Sequence, residues 1–180
     1  MKKLTSIILI LFLSLLSSPS WSETLTMDEL VERNDLYFKK FTNVPFTGEI
    51  SGKENGSFKN GNKNGEWSSY HENGQLKWIE NYKDGNLDGL SEEYLKNGQL
   101  EYKENYKDGK RDGLSERYYE NGQLLDKGNY KDGQREGLWE YYYDNGQLEE
   151  KGNYKDGKED GLWESYYGNG QLVSKSFFKF

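Results

Sequence analysis

The stretch YYYDNGQLEEKGNYKDG, residues 141–157, decides the fold because the chain repeats it. It recurs 24 residues earlier as RYYENGQLLDKGNYKDG and 24 residues later as SYYGNGQLVSKSFFKF, where the sequence ends. Aligned on Asn-Gly-Gln-Leu, the anchors fall at 73–76, 97–100, 121–124, 145–148 and 169–172, with no insertion between copies. Each period holds two runs: LWEYYY (138–143), closed by Asn-Gly, and QLEEKGNY (147–154), closed by loops of the KDGQREG type. Tyrosine- and tryptophan-rich runs bounded by Asn-Gly predict two strands joined by a type I′ turn, which needs positive φ at both central residues. Glycine recurs too often for any run to make three helical turns.

A two-residue turn at Asn145-Gly146 fixes the register, and the charges check it. Glu140 then faces Lys151, and the same arithmetic pairs Glu92 with Lys103, Glu116 with Lys127 and Glu164 with Lys175. A slip of one residue loses all four pairs. Exposed pairs of this kind contribute little stability, so their role is alignment.

Strand alternation sorts the side chains. One face should carry Trp139, Tyr141, Tyr143, Leu148 and Tyr154, with Gly152 leaving room opposite Trp139. The other carries Leu138, Glu140, Tyr142, Glu149, Lys151 and Asn153. The aromatic face is the candidate for burial, with rings stacked along the array. The expected fold is all-β: an elongated antiparallel meander of tandem 24-residue hairpins, with a short N-terminal helix.

The ends differ from the repeats, as terminal units of an array must. Residues 25–33 predict the helix, with Thr26 as N-cap, Glu29 completing a capping box, and Leu25 with Leu30 as a hydrophobic staple. Residues 36–50 look like strand, and 56–67 a degenerate first repeat. Residues 23–62 thus form a cap, and 63–180 the five full repeats. Phe177, Phe178 and Phe180 are expected to close the last edge by packing on the aromatic face.

Residues 1–22 stand apart. Lys2 and Lys3 precede an apolar run at 4–16, and Ser20 and Ser22 occupy the small-residue places before a cut after Ser22. That is a signal-peptide layout, too short for a transmembrane anchor. It predicts export to the periplasm or cell exterior, with no transmembrane segment after its removal.

The chain carries a net charge of −7, 31% charged residues and 33% hydrophobic ones. An acidic chain repels phosphate backbones, which argues against nucleic acid as partner. Its 16% aromatic content and strict period point to ordered repeats, not disorder. With no cysteine and one histidine, no ordinary zinc or copper site can be assembled. His71 stands in the column of Leu95, Tyr119, Tyr143 and Tyr167, so it is expected to fill an aromatic slot. Carboxylates recur in every repeat, whereas an active site is a singular feature. The Asp-Gly loops lack the alternating acids of a calcium loop. The chain is therefore expected to be no enzyme and to need no metal or cofactor.

The period and its Gly and Tyr columns, over 63–180 and more loosely over 44–62, resemble the bacterial variant of the MORN (membrane occupation and recognition nexus) repeat. Such repeats are found in YwqK-family antitoxin-like proteins, of which this would be an exported member. The resemblance implies stacked β-hairpins acting as an interaction module without catalytic residues. The expected function is a binding scaffold for a protein partner, docked on an aromatic face of Trp67, Trp139, Tyr141, Tyr143, Tyr154, Trp163 and Tyr167 or on an exposed strand edge. The alternatives are a glycan or cell-wall binder using the tryptophans as sugar platforms, an antitoxin or immunity-like protein, and self-association through sheet edges.

Overall fold

A computed structural model describes residues 22–179; the expected signal peptide and Phe180 lie outside the described residues, apart from Ser22. The N-terminal part holds strands β1 (Thr24–Leu25), β2 (Leu30–Arg33), β3 (Leu36–Lys39) and β4 (Gly48–Ile50). The first, degenerate hairpin is β5 (Glu54–Lys59) with the start of β6 (Asn62–Tyr70). There follow β7 (Leu76–Lys83), β8 (Asn86–Tyr94), β9 (Leu100–Lys107), β10 (Lys110–Tyr118) and β11 (Leu124–Lys131). The array ends with β12 (Gln134–Tyr142), β13 (Leu148–Lys155), β14 (Lys158–Tyr166) and β15 (Leu172–Phe178). From β4 to β15 each strand pairs with the next in one antiparallel meander. β1 joins its edge in parallel to β4, giving 13 strands. β2 and β3 form a separate two-stranded sheet.

The expected register holds. Glu92, Glu116, Glu140 and Glu164 are the Cα partners of Lys103, Lys127, Lys151 and Lys175. The turn chemistry differs from the expectation. At Asn145-Gly146 only the glycine is left-handed (φ 80°). The loop closes instead with Tyr143 N–H donating to Gln147 O (2.9 Å) and Gly146 N–H to Tyr143 O (2.9 Å). Asn145 is there for its side chain, whose Oδ1 accepts from Gln147 N–H at 2.9 Å. This three-residue loop would shift the register by one, and a bulge at Glu149 restores it, since Tyr142 pairs with Leu148 but Tyr141 with Glu150. The type I′ turns sit at the opposite side of the array, at the Asp-Gly pairs. Asp156 (φ 49°) and Gly157 (φ 78°) are both left-handed, and Lys155 pairs with Lys158 across them.

The helix expected over 25–33 contracts to one 3-10 turn, Met27–Glu29, and residues 30–33 continue as strand. The capping chemistry is present, with the Glu29 carboxylate accepting from Thr26 N–H at 2.9 Å. Tertiary pairing overrides it. Lys40 N–H donates to Glu29 O, and Leu25 and Leu30 are both drawn into an apolar cluster with Phe46, Ile50, Phe58 and Trp67. Nine residues of helix have too little stability of their own to compete with that burial. The far end is open. Every residue of β15 is exposed. Phe178 packs edge-on against Trp163 with centroids 6.3 Å apart. Phe177 pairs with Leu162 on the opposite face and stays 75% exposed, so it does not close the aromatic face as expected.

Candidate functional site: the tyrosine face

Trp139 pairs with Gly152, Tyr141 with Glu150 and Gly137 with Tyr154, so Trp139, Tyr141 and Tyr154 share one face as the alternation predicts. Leu148 leaves it, because the bulge makes Leu148 the partner of Tyr142 on the other face.

The tryptophans are packed by a device the strand alternation does not show. A Cβ on Gly56, Gly128 or Gly152 would overlap the indole of Trp67, Trp139 or Trp163 respectively. The vacancy at Gly152 therefore serves Trp163 on the following strand, not its register partner Trp139 as expected. Each indole N–H donates to a carbonyl beneath it: Trp67 to Ser57 O (3.1 Å), Trp139 to Asn129 O (3.2 Å), Trp163 to Asn153 O (3.3 Å). Cations cover two of them, Lys63 Nζ at 4.3 Å from the Trp67 centroid and the Arg135 guanidinium at 4.5 Å from that of Trp139. Glycine beneath and a cation or tyrosine above bury an indole in a single-layered sheet. Trp67, Trp139 and Trp163 are 0%, 1% and 4% exposed. They form the core of the face and offer no ring to a sugar or a partner, which corrects their expected role.

The tyrosines stand over this layer. Arg135 Nη1 donates to the hydroxyls of Tyr141 (2.9 Å) and Tyr154 (3.0 Å), which lie 3.2 Å from each other. Burial, followed by the hydrogen bond with Tyr154, pushes the Tyr141 hydroxyl well above the usual tyrosine range. Tyr143 donates to Tyr166 O at 2.8 Å, tying one hairpin to the next. Tyr119 makes the equivalent bond to Tyr142 O, and His71 places Nε2 2.8 Å from Tyr94 O. A carbonyl only accepts, so that nitrogen carries the proton. His71 thus fills the slot of its column, as expected. Tyr167, on the last hairpin, is 56% exposed.

On the opposite face the predicted charges form one ladder. Glu92–Lys103 (3.2 Å) and Glu164–Lys175 (2.6 Å) close within their hairpins. Lys127 and Lys151 instead reach forward to Glu140 (2.8 Å) and Glu164 (3.2 Å) of the next hairpin. Each of these lysines lies between two glutamates, since Glu140 and Glu164 are also their Cα partners across the Asp-Gly turns. Hydrogen bonds from Lys175, Tyr166 and Lys151 hold the Glu164 carboxyl down at about 2.

The middle of the tyrosine face is polar. Ser91 and Ser115 replace the tryptophan of β8 and β10, and Glu80 and Glu104 replace the glycine beside it. Glu104 is 3% exposed and accepts from Tyr106 Oη (2.7 Å), Arg111 Nε (2.9 Å) and Ser115 Oγ (3.4 Å). Two strands on, Asp126 is 1% exposed and is held by Arg117. These residues escape the repeat pattern. The signal that marks them is the paired break in two columns, tryptophan to serine and glycine to glutamate.

Among the described residues no helix is long and apolar enough to cross a membrane. No curated protein matches the chain. The family model for the MORN repeat variant matches residues 63–84, 87–108, 111–132, 135–156 and 159–180, each match spanning the two strands of one hairpin and the Asn-Gly loop between them. These matches cover more than half of the chain, with the period and boundaries that the sheet shows. Repeats of this kind build binding scaffolds, and the chain belongs to the MORN repeat variant family.

Proposed function

We propose that the chain is exported, cut after Ser22, and acts in the periplasm or outside the cell as a non-enzymatic scaffold for a protein partner. The docking surface is the tyrosine face around Tyr141, Tyr143, Tyr154 and Tyr167, with the exposed edge of β15 as a second point of attachment. The observation that carries this reading is the two-tier face. Tyrosine rings stand half-exposed on a buried tryptophan layer, with the hydroxyls of Tyr141, Tyr143 and Tyr154 already oriented. Rings held in one orientation lose little conformational freedom on binding, and tyrosine supplies both apolar area and a polar tip. Lys2, Lys3, the apolar run 4–16 and the small residues before position 23 support export. An antitoxin or immunity role is the case in which the partner is a toxin.

Capture from envelope and culture-fluid fractions tests it, with wild type compared against Tyr143→Ala/Tyr167→Ala. A partner held by wild type and lost by the variant supports the reading. Equal recovery by both counts against the tyrosine face.

A further inference from the structure

The absence of an indole at Ser91 and Ser115 opens the centre of the tyrosine face. A cleft of about 360 Å3 lies there, lined among others by Tyr102, Glu104, Tyr106, Arg111 and Arg117. Three of the chain's four arginines, Arg111, Arg117 and Arg135, stand on β10 and β12. The column of Arg111 otherwise holds Lys63, Leu87, Arg135 and Glu159, and that of Arg117 holds Ser69, Glu93, Tyr141 and Ser165, so only β10 carries arginine in both. In a chain built by repetition, this is a singular feature.

Both guanidiniums in the cleft are fixed from below. Asp126 accepts from Arg117 Nε at 3.1 and 3.0 Å through its two oxygens and also from Nη2. Glu104 accepts from Arg111 Nε at 2.9 Å. The carboxylates are 4% and 1% exposed at their side chains, whereas Arg111 and Arg117 are 44% and 47% exposed. Arg117 is thus clamped along one edge and open along another, while Arg111 is held at Nε, touches Tyr130 Oη with Nη1 (3.5 Å) and exposes the rest of its fork. Packing alone does not account for the arrangement. The fold has an apolar filling for the same place, tryptophan over glycine, and buried ion pairs are commonly no more stabilising than apolar residues of similar volume.

Building on the docking reading, we infer that this cleft binds a carboxylate side chain of the protein partner, with Arg111 and Arg117 as donors and Tyr102 and Tyr106 as walls. A carboxylate accepts paired N–H groups from a guanidinium edge. A dianion such as phosphate is disfavoured, because Glu101 and Glu104 line the same cleft and their repulsion grows with the ligand's charge.

The test is nitrogen-15 NMR of the arginine Nε–H groups of the full chain, titrated with a glutamate-rich peptide, its glutamine counterpart and inorganic phosphate. A control variant, Arg111→Leu/Arg117→Ser/Asp126→Ser, copies solutions the fold already uses. Leu87 stands in the column of Arg111, and Ser165 and Ser174 occupy the register of Arg117 and Asp126 with hydroxyls 2.8 Å apart. Saturable shifts at Arg111 and Arg117 are expected with the glutamate peptide. Binding should be about tenfold weaker or worse for the glutamine peptide and for the folded variant. Should the triple variant fail to fold, Arg117→Lys keeps a cation against Asp126, loses the fork, and is likewise expected to bind more weakly. Undiminished binding by these variants, absence of saturable shifts, or tighter binding of phosphate overturns the inference. Partner capture through Tyr143 and Tyr167 is read separately, so capture retained beside a silent titration rejects the carboxylate site alone.

Discussion

Gly152 forms the floor beneath the indole of Trp163, a residue on the following strand, and a Cβ there would overlap the ring. The contact links one hairpin to the next, so cohesion of the array depends on the smallest residue as much as on the largest. Gly152→Ala should cost about 1–3 kcal/mol by overpacking and Trp163→Ala about 3–5 kcal/mol by truncation. Because the two share one space, Gly152→Ala should cost much less when Trp163 is already alanine. Denaturant unfolding of the singles and the double variant measures that coupling.

The two turn types predict different sensitivities. Asp156→Ala places an ordinary side chain at φ 49° and should cost about 1 kcal/mol, while Asp156→Gly should be tolerated. At Asn145 the backbone is not left-handed, and its side chain bonds Gln147 N–H and Gly168 O. Asn145→Gly should therefore destabilise where Asp156→Gly does not. Thermal melts of the two glycine variants make the comparison.

Acid should weaken the charge ladder in a defined window. Hydrogen bonds from Lys175, Tyr166 and Lys151 depress Glu164 from 4.5 to about 2, and Lys127 lowers Glu140. A carboxyl lowered in the folded state contributes stability above its unfolded value, lost as pH falls through the folded one. Carbon-13 NMR should show Glu164 titrating near 2 in wild type and closer to 4.5 in Lys175→Gln.

Alkali should act through the tyrosines. Burial, then the hydrogen bond to Glu92, raises Tyr94 to about 12, and burial likewise raises Tyr82 and Tyr141. A tyrosine raised in the folded state contributes stability that is complete below the unfolded value, about 10, and is lost as pH rises through the folded one. Ultraviolet titration should show late ionisation of these rings, coinciding with loss of the far-ultraviolet strand signal. Ionisation near 10 with the sheet intact would contradict their burial.

The hairpin array was legible because a 24-residue period samples each environment five times, and the Glu–Lys columns encode the register directly. The turn was misplaced for a physical reason. A two-residue loop and a three-residue loop followed by a bulge at Glu149 give the same pairing further along the strands, so charge matching cannot separate them. The fate of the tryptophans was hidden because alternation tells which face a ring lies on, not that Gly128 or Gly152 beneath it makes room. The N-terminal turn followed its capping residues only as far as Glu29, after which pairing with β3 prevailed. The clamped arginines fall where the repeat breaks, and a reading built on recurrence passes over them.

The tyrosine docking surface depends on the face assignment, and a chain without cysteine lends itself to a direct test. Glu140 and Lys151 are Cα partners, whereas Glu150 pairs with Tyr141 and lies on the other face from Glu140. Under mild oxidation, Glu140→Cys/Lys151→Cys should close an intramolecular disulfide while Glu140→Cys/Glu150→Cys stays reduced. Closure of the second pair in preference to the first would contradict the register, and with it the placing of the tyrosines on one surface.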